Sequence, residues 1–155
     1  MKKYTLLLLI SVTFSFIIIA PDNPKESNFS GAYVSIALQF GKDNNSLKFN
    51  SYQINLGIPI KMPFMAGLTV GKRNYKNGQQ SYYIDLQGNI IFLGGFGIGL
   101  IKENKEIYKR KKIFGGCGPV MFSRDWFNKK NEIIKNQGII ISAPILTIYG
   151  NKFHP

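Results

Sequence analysis

In four runs between Tyr33 and Gln87 the apolar side chains fall on every second position, and the residues between them are small or polar but almost never charged. Val34, Ile36, Leu38 and Phe40 alternate with Tyr33, Ser35, Ala37 and Gln39. Tyr52, Ile54, Leu56, Ile58 and Ile60 alternate with Gln53, Asn55, Gly57 and Pro59. Ala66, Leu68 and Val70 oppose Gly67, Thr69 and Gly71, and Tyr82, Ile84 and Leu86 oppose Tyr83, Asp85 and Gln87. A period of two puts the members of each set on opposite faces of a strand. Residues 90–101 and 113–122 alternate less cleanly because glycines occupy one phase, and a last clear run extends from Gly138 to Tyr149. Beyond the first twenty residues no window carries a helical stripe, so the class is all-β.

What the polar face is made of constrains the fold further. A sheet with one face in water carries Lys, Glu and Thr there, because charge keeps it soluble and blunts its edges. Here that face reads Ser35, Ala37, Gln39, Gln53, Asn55, Gly57, Gly67, Thr69, Gly71, Asp85 and Gln87. Such residues suit the crowded interior of a narrow barrel, in which about eight strands leave only room for side chains. The apolar face then meets lipid. The opposite arrangement, a soluble exported barrel or sandwich that binds an apolar ligand among inward Val, Ile, Leu and Phe side chains, shares the same alternation.

The connections are read as alternating in length. Residues 41–46, 74–79 and 103–108 form polar loops, whereas Lys61-Met62-Pro63 and Gly88-Asn89 form tight turns, the second with the dipeptide of a two-residue hairpin. An antiparallel up-and-down meander with loops at one end and turns at the other resembles the small bacterial outer-membrane β-barrels of about eight strands. The resemblance covers roughly residues 31–150 and is one of pattern. It implies an even strand number with both termini at one end of the barrel, and interface positions for the aromatics Tyr52, Tyr82 and Tyr149. Seven runs are clear, and an eighth is sought at residues 131–135, turning at Asn136-Gln137, with residues 123–130 as a connection. Such barrels commonly finish on a strand with a terminal aromatic, and this sequence departs from that pattern, with Phe153 two residues early.

Met1-Lys2-Lys3 followed by an uncharged apolar run to Ala20 reads as a secretory signal, with Pro21 directly after the cleavage position. An uncleaved leader would instead anchor the domain to the inner membrane, since about 20 apolar residues cross a bilayer. Residues 21–31 are a polar linker with two prolines, residues 32–150 the β-barrel domain and residues 151–155 a tail. Export places the chain in the outer membrane, or in the periplasm or outside the cell if it is soluble. The single Cys117 leaves no intramolecular disulfide.

Few residues invite catalysis. Gly94-Gly95-Phe96-Gly97-Ile98-Gly99 lacks the spacing and the following helix of a nucleotide loop, and alternate glycines suit a strand whose inner face must be small. Cys117 would need a neighbouring base to act as a nucleophile, and the one histidine, His154, is in the tail. Neither an enzyme nor a cofactor is expected. Asp85 is the one carboxylate within a strand, on the lumen phase, and its expected partner is Arg73 or another inward donor, because an unpaired buried carboxylate is costly. The strongest electrostatic feature is the segment 102–112, with Lys102, Lys105, Lys109, Arg110, Lys111 and Lys112 read as a basic loop. Besides the lipid bilayer itself, its expected partners are anionic glycans or lipid headgroups. Nucleic acid is not expected, since export removes the chain from it and only Tyr108 interleaves with the basic residues.

Overall fold

The computed structural model describes residues 31–61, 63–90, 93–130, 132–149 and 152–154. The proposed leader and nearly all of the linker lie outside them. The described chain is all strand and turn: β1 Gly31–Asp43, β2 Lys48–Lys61, β3 Phe64–Tyr75, β4 Gln80–Ile90, β5 Gly94–Glu103, β6 Glu106–Cys117, β7 Val120–Lys129, β8 Glu132–Tyr149 and the short β9 Lys152–His154. Each strand pairs antiparallel with the next, and β8 returns to β1 along Gly31↔Tyr149 to Asp43↔Asn136. Eight strands therefore close into an up-and-down barrel. β7 covers β8 only as far as Ile141, and β9 folds back on the exposed end of that edge, pairing Thr147 with His154.

The register fixes the barrel's shape. Starting at Tyr33 and crossing one strand at a time through Gly57, Gly67, Gln87, Gly97, Lys112, Asp125 and Asn136, the pairings return to β1 at Asp43, ten residues further on. Strands staggered by this much tilt by about 35–45° around a lumen that side chains can fill. Every residue of that path occupies the inward phase.

The faces are those of a barrel turned inside out relative to a soluble one. Among the described residues fourteen polar or charged side chains are buried against seven hydrophobic ones. Meanwhile Ile36, Ile54, Ile58, Leu86, Phe96 and Ile98 stand on the outside, each between 49% and 64% exposed. The inward apolar set of the soluble alternative is not the arrangement found.

Several boundaries differ from the sequence reading. The supposed loop 103–108 is a two-residue turn at Asn104-Lys105, both at positive φ (48° and 72°) as the mirror-image hairpin turns require, so Lys109 to Lys112 lie inside β6. Gly88 and Asn89 are inside β4, paired with Ala66 and Met65, and β4 ends only at Ile90, with β5 beginning at Gly94. Residues 113–122 are split by Gly118-Pro119, with Gly118 at φ 62°, and residues 123–129 form most of β7. Asn136-Gln137 is no turn, because Asn136 pairs with both Asp125 and Asp43 within the continuous β8. Loops of four residues at 44–47 and 76–79 are the longest connections in the barrel. Within the stretch read as a tail, residues 152–154 pair with β8 as β9.

Candidate functional site

Alternation carries one charged residue after another into the lumen. Arg73 comes from β3, Asp85 from β4, Arg110 and Lys112 from β6 and Asp125 from β7, and each is at most 1% exposed. Asp125 is the hub. Its carboxylate accepts from Arg73 Nη1 at 3.2 Å and Nη2 at 2.7 Å, from Arg110 Nε at 3.2 Å and from Asn136 Nδ2 at 2.9 Å. Arg110 Nη2 lies 3.1 Å from the same carboxylate, and Nη1 donates to Asp85. Two carboxylates thus hold two guanidinium groups in a continuous chain, the arrangement that makes buried charge tolerable. Asp85 and Arg73 are both in the lumen, but they pair with Arg110 and Asp125 and not with each other.

Tyr83 braces this chain from one side. The Arg110 guanidinium lies 4.1 Å from its ring centroid, and its hydroxyl joins Ser51 Oγ at 2.7 Å and donates to Gln53 Oε1 at 3.0 Å. Gly71 makes room for the ring, since a Cβ there would be 2.3 Å from the Tyr83 Cζ. Arg73 also stacks over Phe49, with Cζ 4.2 Å from the ring centroid. The remaining cation, Lys112, has no carboxylate within ion-pair distance among the described residues and donates at 3.5 Å to Gln53.

The lumen is closed at one end and less so at the other. Phe49, Tyr75, Ile101 and Phe127 lie 0–6% exposed at the end of the β1–β2, β3–β4, β5–β6 and β7–β8 connections. Towards the opposite end Tyr33, Gln87, Asn89 and Phe114 are only half-buried. Near the closed end Lys129 pairs with Glu103, and on the β5–β6 hairpin the Tyr108 hydroxyl donates to Glu106. That hydrogen bond holds the Glu106 carboxyl below the usual carboxylate range and pushes Tyr108 up to about 12.

Outside, the cations collect into a rim. Lys42 on β1, Lys72 on β3, Lys102 on β5, Lys109 and Lys111 on β6, Arg124 on β7 and Lys135 on β8 occupy outward positions, all but Arg124 in the half of each strand next to the closed end. Just inside this rim stand Tyr52 and Tyr82, each about half exposed, paired on either side of Lys72, whose Nζ is 5.5 Å from the Tyr82 ring. Trp126 takes the equivalent place between Lys111 and Lys135. Tyr149 ends β8, but its side chain lies outside the described residues.

The six cations read as one basic loop therefore divide. Lys102, Lys109 and Lys111 belong to the rim and Lys105 to a turn, whereas Arg110 and Lys112 point into the lumen. The sequence reading missed Asp125, the rim members Lys42, Lys72, Arg124 and Lys135, and Trp126. The alternation of Phe122, Arg124 and Trp126 with Ser123, Asp125 and Phe127 was the signal for a strand there. Among the described residues no three His, Cys, Asp or Glu side chains group so as to hold a metal ion.

No protein-family model matches the sequence, and no curated protein matches it. A solved structure described as "De novo design of transmembrane beta-barrels" is similar at a TM-score of 0.46 and 10% identity, over 73% of this chain and 95% of that one. The closed barrel is established by the strand pairings above, independently of that likeness.

Proposed function

We propose that this chain is a small integral β-barrel of the outer membrane with a structural or surface-interaction role carried by its cationic rim, and with little or no pore. The observation that carries the reading is the inversion of the faces. A continuous apolar outer band would cost dearly in water, and it suits the hydrocarbon of a bilayer, where closure pairs the two sheet edges β1 and β8 with each other. Tyr52, Tyr82 and Trp126 between that band and the lysines fit the level of the lipid headgroups. Lys and Arg at this level attract anionic lipid headgroups or glycans.

Two features support a closed and chemically quiet lumen. Arg73, Arg110, Asp85 and Asp125 fill its middle, and the aromatic residues Phe49, Tyr75 and Phe127 cover one end. Both central carboxylates are spent on guanidinium groups, so neither is free to act as an acid or base, which argues for a non-enzymatic role. The leader, with its two lysines and apolar run to Ala20, supports export.

The test is fractionation of cells that express the full chain, with an alkaline carbonate wash of the membranes and a gel comparing boiled with unboiled samples. Retention in the washed outer membrane and faster migration of the unboiled protein are expected. Recovery in the soluble exported fraction would refute the reading. Planar-bilayer recordings should show no steady open-channel current.

A further inference from the structure

The outer wall is not uniform. Across β6, β7, β8 and β1 it hollows into a groove of about 700 Å³. Phe40, Ile113, Phe122 and Ile139 form its walls, each an outward residue 40–69% exposed. Gly115 also lies on the outward phase, and having no side chain there it leaves the hollow open. Lys42 and Arg124 close the groove on the side of the rim.

Arg124 is the feature that needs explaining. It is the fifth residue of the ten in β7, paired with Ile113 and Gln137, and so stands deeper towards the apolar band than the other rim cations. Asp125, its neighbour in sequence, points into the lumen and is taken by Arg73 and Arg110. Asp43, next to Lys42, accepts from the backbone N–H groups of Asn45 and Leu47, both at 2.8 Å. Neither Arg124 nor Lys42 has a carboxylate partner among the described residues. A guanidinium held against hydrocarbon is costly until an anion meets it, and its planar fork matches a phosphate.

Resting on the membrane-barrel reading, we propose that this groove is a binding site for a net-anionic phospholipid, with the phosphate between Arg124 and Lys42 and an acyl chain along Phe40, Ile113, Phe122 and Ile139. The two halves of the site have the chemistry of one amphiphile, and they meet where the polar rim gives way to the apolar band. A soluble anion would use the cations and leave the apolar half exposed, whereas a zwitterionic lipid would use the apolar half and leave Arg124 with a headgroup that brings its own cation.

Trp126, the one tryptophan of the chain, lies on the same outward face two residues from Arg124 and reports on the site. The full chain is refolded into phosphatidylcholine vesicles doped with lipid brominated on its acyl chains, either phosphatidic acid or phosphatidylcholine, and quenching of Trp126 is titrated. Phosphatidic acid should quench at a mole fraction at least about 5-fold lower, since one cation at a membrane surface is worth about that factor. Arg124→Gln and Lys42→Gln should each erode the preference. Gly115→Val should erode it too, although it changes no charge, because it fills the groove. Lys76→Gln, a charge-matched control in the β3–β4 connection, should leave it unchanged.

Equal quenching by the two lipids in inserted protein would overturn the site and leave the barrel reading standing. Equal erosion by Lys76→Gln, with Gly115→Val silent, would overturn it in favour of general surface charge. Absence of quenching by either lipid, with protein that does not float with the vesicles, would overturn the barrel reading and the site together. Unboiled gel migration of each variant shows that it has folded.

Discussion

Replacing Asp125 with Asn should be among the most damaging conservative changes available to this chain. The carboxylate takes four hydrogen bonds, three of them from guanidinium groups and one from Asn136. With it gone, Asp85 alone faces Arg73, Arg110 and Lys112 in a lumen where all four are buried. Removing one partner of a buried ion pair costs about 3–5 kcal/mol, because the other is left charged and unpaired. That corresponds to a loss of about 10² to several times 10³ in the ratio of folded to unfolded protein. The assay is urea unfolding of vesicle-inserted protein, followed by Trp126 fluorescence and by the fraction that resists heat shift on a gel. The double variant Arg73→Met/Asp125→Asn sharpens the test, since it removes a cation together with the anion. It should be more stable than Asp125→Asn alone, as replacement of a whole buried pair is often nearly neutral. A loss under about 1 kcal/mol for Asp125→Asn, or simple additivity of the two substitutions, would refute the account of the lumen as a charge-balanced network.

Three further outcomes are expected. Gly71→Ala should cost about 1–3 kcal/mol by overpacking, since its Cβ would be 2.3 Å from Tyr83 Cζ, and unfolding of the refolded barrel measures it. Ile84→Arg, an outward change on β4 within the apolar band, should cost about 2–4 kcal/mol in vesicles, whereas Gln80→Arg at the rim end of the same strand should cost about 0–1; equal costs would contradict a lipid-facing wall. Absorbance titration of the tyrosines should include a component near 12 that returns towards 10 in Glu106→Gln, which assigns it to Tyr108. Because Tyr108 holds its proton more tightly when folded, its contribution is complete below pH 10 and disappears as pH rises through about 12. For Glu106 the sign is opposite, and its contribution is lost as pH falls through its lowered value.

The first four strands were legible because each keeps its two faces chemically distinct. Ser35, Gln39, Gln53, Thr69 and Asp85 are all inward, and the residues between them are apolar and outward. β6 and β7 hid themselves for the opposite reason. Lys109 and Lys111 point out at the rim, Arg110 and Lys112 point in, and a run with the same charge on both phases has no visible period. The lumen partners were also beyond reach, since Arg73 meets Asp125 across 52 residues of sequence and only the closure of the sheet brings them together. Asp125 itself was lost in a stretch assigned to a connection. The turns failed locally: Asn104-Lys105 reverses the chain without glycine by taking both residues to positive φ, whereas Gly88-Asn89, with a better hairpin signature, continues a strand whose partners on both sides extend past it.

Connections of no more than four residues leave this barrel little of the loop surface on which function is usually carried. The lumen is spent on its own charge balance, with Arg73, Arg110 and Lys112 set against Asp85 and Asp125, a surplus of only one. Most of the formal net charge of +12 is therefore carried elsewhere, and its visible concentration is the outward rim at one end. The connections of the other end, residues 62–63, 91–93 and 118–119, contain no charged residue at all. In the membrane-barrel reading proposed above, the outward rim on the wall is the surface left to meet a partner. Because the rim cations sit on paired strands, their backbone spacing does not depend on a partner, and the ordering that opposes binding is confined to their side chains. Screening confines their reach to about 10 Å, and what they recognise must come to the wall itself.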